Sequence, residues 1–145
     1  MIRQFLERLM APAEAPRPAP DVNLAAAVLL IEVMKSDHDI APVEQEALSS
    51  AITELTGMTT TEAAGLVADA MTQSAAANDL FRFTEAIHAN WSNKEKSQLL
   101  ISLWRVAYAD NNLDKYEEHL IRRISDLLYV PHSEFIRTKL IARDQ

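Results

Sequence analysis

A chain of 145 residues, 48% hydrophobic and 24% charged, has room for one domain with its own core. It holds two glycines and no cysteine, which argues against Gly-rich phosphate loops and excludes thiolate zinc sites, catalytic thiols and disulfides. A net charge of −7 disfavours nucleic acid and anionic membrane surfaces and favours cations or basic partners. No segment approaches the roughly 18 consecutive apolar residues of a spanning helix, so the chain is not expected to be an integral membrane protein. The expected location is the cytoplasm.

Residues 1–10 place Ile2, Phe5, Leu6 and Leu9 at helical spacing among Arg3, Glu7 and Arg8. Two readings stand, an N-terminal docking helix or a frayed tail. Residues 11–20 carry four of the six prolines and read as an extended linker. Residues 1–20 thus form an appended segment, and residues 21–145 the helical domain.

Leu24 to Met34 is apolar apart from Glu32, the pattern of a helix buried on most sides. After a polar break at 35–39, Pro42 suits the first position of a new helix carrying Val43, Ala47, Leu48, Ala51, Ile52 and Leu55, with Gly57 as its left-handed cap. Thr59 or Thr60 with Glu62 opens a third helix through Ala64, Leu66, Val67, Ala70 and Met71. A fourth spans Leu80 to Ala89. A fifth runs from Lys94 through Leu99, Leu103, Trp104 and Ala107 until Asp110-Asn111-Asn112 interrupts it. Lys115 to Tyr129 and Ser133 to Ala142 complete an all-α chain of about seven helices, with Pro131 between the last two and no convincing strand.

Shifted by 73 positions, the sequence matches itself, Asp37-His38-Asp39-Ile40 with Glu44 falling on Asp110-Asn111-Asn112-Leu113 with Glu117. Flanking apolar positions agree as well, Leu30 and Ile31 with Leu103 and Trp104, Leu48 with Ile121. The pattern is a duplicated helix-loop-helix unit. Each loop offers three oxygen-bearing side chains: Asp37, Asp39 and Glu44 in the first copy, Asp110, Asn112 and Glu117 in the second. Ile40 and Leu113 are placed to pin the loops to the core. Such an all-oxygen set suits Ca²⁺, Mg²⁺ or Mn²⁺. His38 within the first loop makes a mixed site for Zn²⁺ or Ni²⁺ a secondary reading. An EF-hand is excluded, because its Gly and Glu positions hold Pro42 and Leu48 in one copy and Lys115 and Ile121 in the other.

Helix capping accounts for the glutamates equally well. Asp114 and Glu117 have capping-box spacing, and Glu44 sits in a helical first turn. Capping does not account for Asp37 and Asp110, which follow helix C-termini, where negative charge is disfavoured. Both readings stand at this point.

The segments Leu30-Ile31-Glu32-Val33-Met34 with Asp37-His38-Asp39-Ile40, and Trp104-Arg105-Val106-Ala107-Tyr108-Ala109-Asp110 with Leu113 and Glu117, resemble the tellurite-resistance TerB-like family over roughly residues 22–143. The resemblance implies a helical bundle of seven or so helices with internal pseudo-symmetry, acidic residues acting as a divalent-metal site, and a stress-response sensor or adaptor in a membrane-associated or other protein complex. The chain departs from the family pattern where His38 and Asn111 replace a common glycine and Asn112 replaces a carboxylate.

Catalysis finds little support. His88, His119 and His132 fall in no nucleophile-base-orienter order, and Trp104 reads as core and Trp91 as a packing hinge. Arg122-Arg123, Arg137 and Lys139 read as solvated faces rather than a nucleic-acid footprint. The function expected is a non-catalytic cation-binding module, and the alternative is a metal-free interaction scaffold.

Overall fold

The computed structural model describes residues 20–35, 40–77, 79–109, 113 and 115–144. Among them are seven helices and no strand: α1 (Val22–Met34), α2 (Pro42–Thr56), α3 (Thr60–Ala76), α4 (Phe81–Asn90), α5 (Asn93–Tyr108), α6 (Lys115–Leu127) and α7 (His132–Arg143). The amphipathic segment 1–10 and the linker as far as Ala19 lie outside the described residues.

α1 is the axis of the bundle. Asp21 caps it, its carboxylate accepting the Leu24 N–H, and nine of its thirteen residues are buried. A helix with no polar face needs neighbours on every side. α1 accordingly packs against α2, α3, α4, α5 and α6, while α7 seats mainly on α5. Leu29, Leu30, Ile31, Leu99, Leu100, Leu103 and Trp104 meet in a single core with Phe83 and Phe135. Trp104 packs its ring against Phe135 at 5.2 Å and Tyr108 at 6.2 Å, with Lys139 Nζ 5.4 Å above the ring.

The helix boundaries have local chemical causes. Thr59 with Glu62 and Ser92 with Glu95 form reciprocal capping boxes that start α3 and α5. α2 ends at Gly57, whose φ of 78° is open to glycine at little cost. α6 stops at Leu127, short of the expected Tyr129. Tyr129 itself takes φ 59°, and its N–H and that of Val130 bond back to the carbonyls of Asp126 and Ser125. This is a Schellman turn with a tyrosine where glycine is usual. Packing of the Tyr129 ring on His88, centroids 4.6 Å apart, helps offset a conformation that costs roughly 1–2 kcal/mol in a residue with a Cβ.

Sequence expectations also fail at three positions in α2 and α3. Val43 and Ala47 are exposed, because Leu48 and Ile52 alone supply the fully buried apolar contacts of α2. In α3 the buried stripe is Ala63, Val67, Ala70 and Ser74, which rotates Ala64 out to solvent.

α2 and α6 begin at Pro42 and Lys115, the positions that the 73-residue shift pairs. α1 packs on α3 as α5 packs on α7, and α4 lies between the two triplets in sequence.

One buried charge stands out. Lys96 is 4% exposed; its Nζ lies 2.7 Å from His88 Nδ1 and donates to the Leu128 carbonyl at 3.1 Å. Burial pushes the ammonium below its ordinary 10.5. The folded state therefore holds this proton less tightly than the unfolded chain, and stability rises as pH climbs toward 10.5. Lys96→Met is expected to leave the melting temperature unchanged or raised at neutral pH and to remove that rise; a large loss of stability would show that the ammonium anchors the end of α6.

Candidate functional site

The described parts of the first acidic connection are its two ends. At the close of α1, Glu32 pairs with Lys35 Nζ at 3.0 Å and accepts a short hydrogen bond from the Ser74 hydroxyl on α3. Ile40 is packed against the core, Ala41 precedes α2, and Glu44 Oε1 accepts the Ala41 N–H at 3.0 Å. This is the half of a capping box that an alanine permits. Capping thus engages the Glu44 carboxylate.

The second connection differs in one respect. Leu113 packs against the core as Ile40 does, but Glu117 is 5% exposed, whereas Glu44 is half-buried. Neither glutamate is without a partner. The sequence offers both glutamates as metal ligands or as helix-start caps and does not signal the burial of Glu117. The neighbouring Glu118 pairs with Lys139 Nζ at 2.8 Å, tying α6 to α7. Asp37, His38, Asp39, Asp110, Asn111, Asn112 and Asp114 lie outside the described residues. Among the described residues, no three His, Asp or Glu side chains come together in a group able to hold a metal ion.

A cavity of about 210 Å³ is lined by Glu32 of α1, by Ala77, Asp79 and Leu80 where α3 passes into α4, and by Leu120 and Arg123 of α6. The last turn of α1 and the second and third turns of α6 therefore share this cavity.

A larger cleft runs along the outer face of α5. One cavity of about 450 Å³ reaches Val130 and Pro131, and another of about 370 Å³ reaches Leu55 and Ile141; Gln98 and Ile101 line both. Ion pairs stand at its two ends, Glu54 with Arg105 at 3.4 Å and Glu134 with Arg137 at 2.5 Å. Glu134 also accepts the Ser97 hydroxyl at 2.6 Å. The Arg137 guanidinium, then the Ser97 hydroxyl, hold the Glu134 carboxyl down to about 2. Neither the cleft nor Glu134 was legible as a site, since no motif marks them.

The family model described as tellurite resistance protein TerB matches residues 23–140, from the first turn of α1 to the last turns of α7. The chain belongs to the TerB family. No curated protein and no solved structure gives a match. The match takes in both acidic connections of this TerB chain and leaves residues 1–22 outside. Among the described residues no helix is long and apolar enough to cross a membrane.

The Glu134 pair sets an acid limit on this TerB domain. A carboxyl with a lowered folded pKa contributes stability above the ordinary 4.5 and loses it as pH falls toward about 2. Solvent reaches about a third of this side chain, 30% exposed, so salt screening leaves only part of the ideal effect. Thermal melts from pH 5 downward are expected to show a shallower acid loss for Glu134→Gln than for the parent. Superimposable slopes would contradict the assignment.

Proposed function

We propose that this TerB chain is a non-catalytic divalent-cation-binding module, acting as a stress-response sensor or adaptor, and that its two acidic connections supply the ligands. The reading assigns Asp37, Asp39 and Glu44 to one site and Asp110, Asn112 and Glu117 to the other. The observation that carries it is the matched framing of the two connections: Ile40 and Leu113 pack against the core, and α2 and α6 start 73 residues apart, each with a glutamate in its first turn. Glu117 follows Asp110 and Asp114 closely in sequence, as Glu44 follows Asp37 and Asp39. The partial positive charge of the helix N-terminus offsets one carboxylate but not several.

The donor chemistry fits a hard cation. Every proposed ligand offers oxygen, and the chain has no thiolate to draw a softer ion. When bound, the cation neutralises the carboxylates and ties each loop to the helix that follows it. Matched starts of α2 and α6, and the matching packing of α1 on α3 and α5 on α7, support a duplicated unit with one such loop per copy. Family membership supports a helical module related to tellurite resistance.

Metal-free protein titrated with Ca²⁺, Mg²⁺ and Mn²⁺ tests the proposal. At least one ion is expected to raise the melting temperature by mass action, by about 2.7 kcal/mol of stability at a hundredfold excess over Kd. Asp37→Ala combined with Asp110→Ala is expected to abolish the rise, and Glu117→Gln to weaken it. Melting curves unmoved by all three ions would overturn the proposal.

A further inference from the structure

We propose that the cleft along α5 is a docking site for an acidic amphipathic helix of a partner protein, seated against α5 and α2 as α4 is seated against α1 and α6. The inference is independent of the cation reading.

The duplicated halves differ by one helix. Under the 73-residue shift α1, α2 and α3 correspond to α5, α6 and α7. α1 packs on α2 and α3 and reaches across to α6; α5 packs on α6 and α7 and reaches across to α2; the two also pack on each other. α4 is the exception. It packs on α1 and α6, and among the described residues no helix takes the matching place on α5 and α2. Burial follows the same division. Ala25, Val28 and Leu29 of α1 are 0% exposed, whereas their counterparts Gln98, Ile101 and Ser102 are exposed or half-buried and line the cleft. Since the other neighbours of α1 all have counterparts around α5, α4 is the helix that closes this stripe in the first half. The cleft is the same seat left open in the second.

The seat has the dimensions of such a helix. Lys94, Gln98, Ile101 and Arg105 recur at three- and four-residue intervals, so they form one stripe along α5. Leu55 of α2 and Ile141 of α7 add apolar surface beside it. From Lys94 to Arg105 the stripe is roughly 17 Å long at a rise of about 1.5 Å per residue, and a helix of α4's length is roughly 15 Å long. α4 buries Phe83, Ala86 and Ile87, the i, i+3, i+4 set by which a helix lays one face into a groove.

Charge selects the occupant. Asp21 and Glu32 of the first half correspond to Lys94 and Arg105 of the second, so the seat is reversed in sign at both ends. Glu32 shares a cavity with Asp79 and Leu80, where α4 begins, and a helix N-terminus favours a carboxylate beside it. Arg105, in the matching place, favours negative charge on the occupant instead. The charged side chains lining the cleft are Lys94, Arg105 and Arg137 against Glu54 and Glu134. Both glutamates are paired, with Arg105 and Arg137, which leaves Lys94 as surplus positive charge, exposed and outside any ion pair among the described residues. Complementary charge of this kind sets partner choice more than affinity.

The probe for a test on the full chain is a fluorescein-labelled peptide of α4's length, hydrocarbon-stapled to hold it helical. It carries Phe, Ala and Ile at the spacing of Phe83, Ala86 and Ile87, with glutamates on both flanks; its control carries lysines there. By fluorescence anisotropy the glutamate peptide is expected to bind at least about tenfold more tightly than the lysine peptide. In the ¹⁵N-labelled protein it is expected to move the amide resonances of Gln98, Ile101 and Ser102 and to leave those of Val43 and Tyr116, at the starts of α2 and α6, in place. Lys94→Glu with Gln98→Glu, both at exposed positions, is expected to cancel or reverse the preference without lowering the melting temperature. Four results would overturn the proposal: no binding, or equal binding of the two peptides; shifts centred outside the cleft; movement of the same amides on dilution of the free protein, which makes a second copy the occupant; or their movement in free Phe5→Asp protein, which makes residues 1–10 the occupant.

Discussion

A helix with no polar face cannot sit at a surface, and α1 has none to offer. Ala25 to Ile31 are all at or below 1% exposed. Each fully buried Val, Leu or Ile is worth about 1.5–3 kcal/mol relative to exposure, so Val28, Leu29, Leu30, Ile31 and Val33 favour any arrangement that surrounds them. The arrangement adopted wraps five helices around α1 and makes the two halves of the chain share one core. Polar groups can enter α1 only at its ends. There Asp21 caps the start, and Glu32 meets Ser74 and Lys35 near the close.

The position of the acidic connections follows from that axis. Because α1 runs through the centre, its last turn emerges beside α6, and the cavity lined by Glu32, Leu120 and Arg123 marks the place. Ile40 and Leu113 pack against the core shortly before α2 and α6 begin. Glu117, 5% exposed, lies in the first turn of α6, where the partial positive charge of the helix N-terminus favours a carboxylate. Lys96 shows the alternative solution for a buried charge. Its ammonium is met by the His88 ring nitrogen and a backbone carbonyl, at the expense of a lowered pKa.

Much of the fold was legible because the signals are local and mutually consistent. Pro42 at a first helical position, Gly57 at a left-handed cap, and Thr59 with Glu62 each specify a boundary through backbone chemistry alone. What was not legible depended on tertiary packing. A tyrosine ending α6 two residues early needed the His88 ring beside it. The exposure of Val43 and Ala64 and the burial of Glu117 and Lys96 reflect which face of each helix the neighbours cover, and a single amphipathic pattern specifies that face only to within about one residue. The α5 cleft has no sequence signature, since Leu55, Ile101, Val130 and Ile141 come together from four separate segments. For the proposed ligand set, the sequence supplied residue types and spacing. Glu44 and Glu117 are the two whose surroundings the structure describes.

Native-state hydrogen exchange tests the shared axis most directly. If α1 is the core of both halves, the amides of Leu29, Leu30 and Ile31 exchange only through global unfolding, with the same free energy and denaturant dependence as Leu103 and Trp104 of α5. If α1 opens together with α2 and α3 while α5 to α7 stay protected, the halves are separate cooperative units and the account fails.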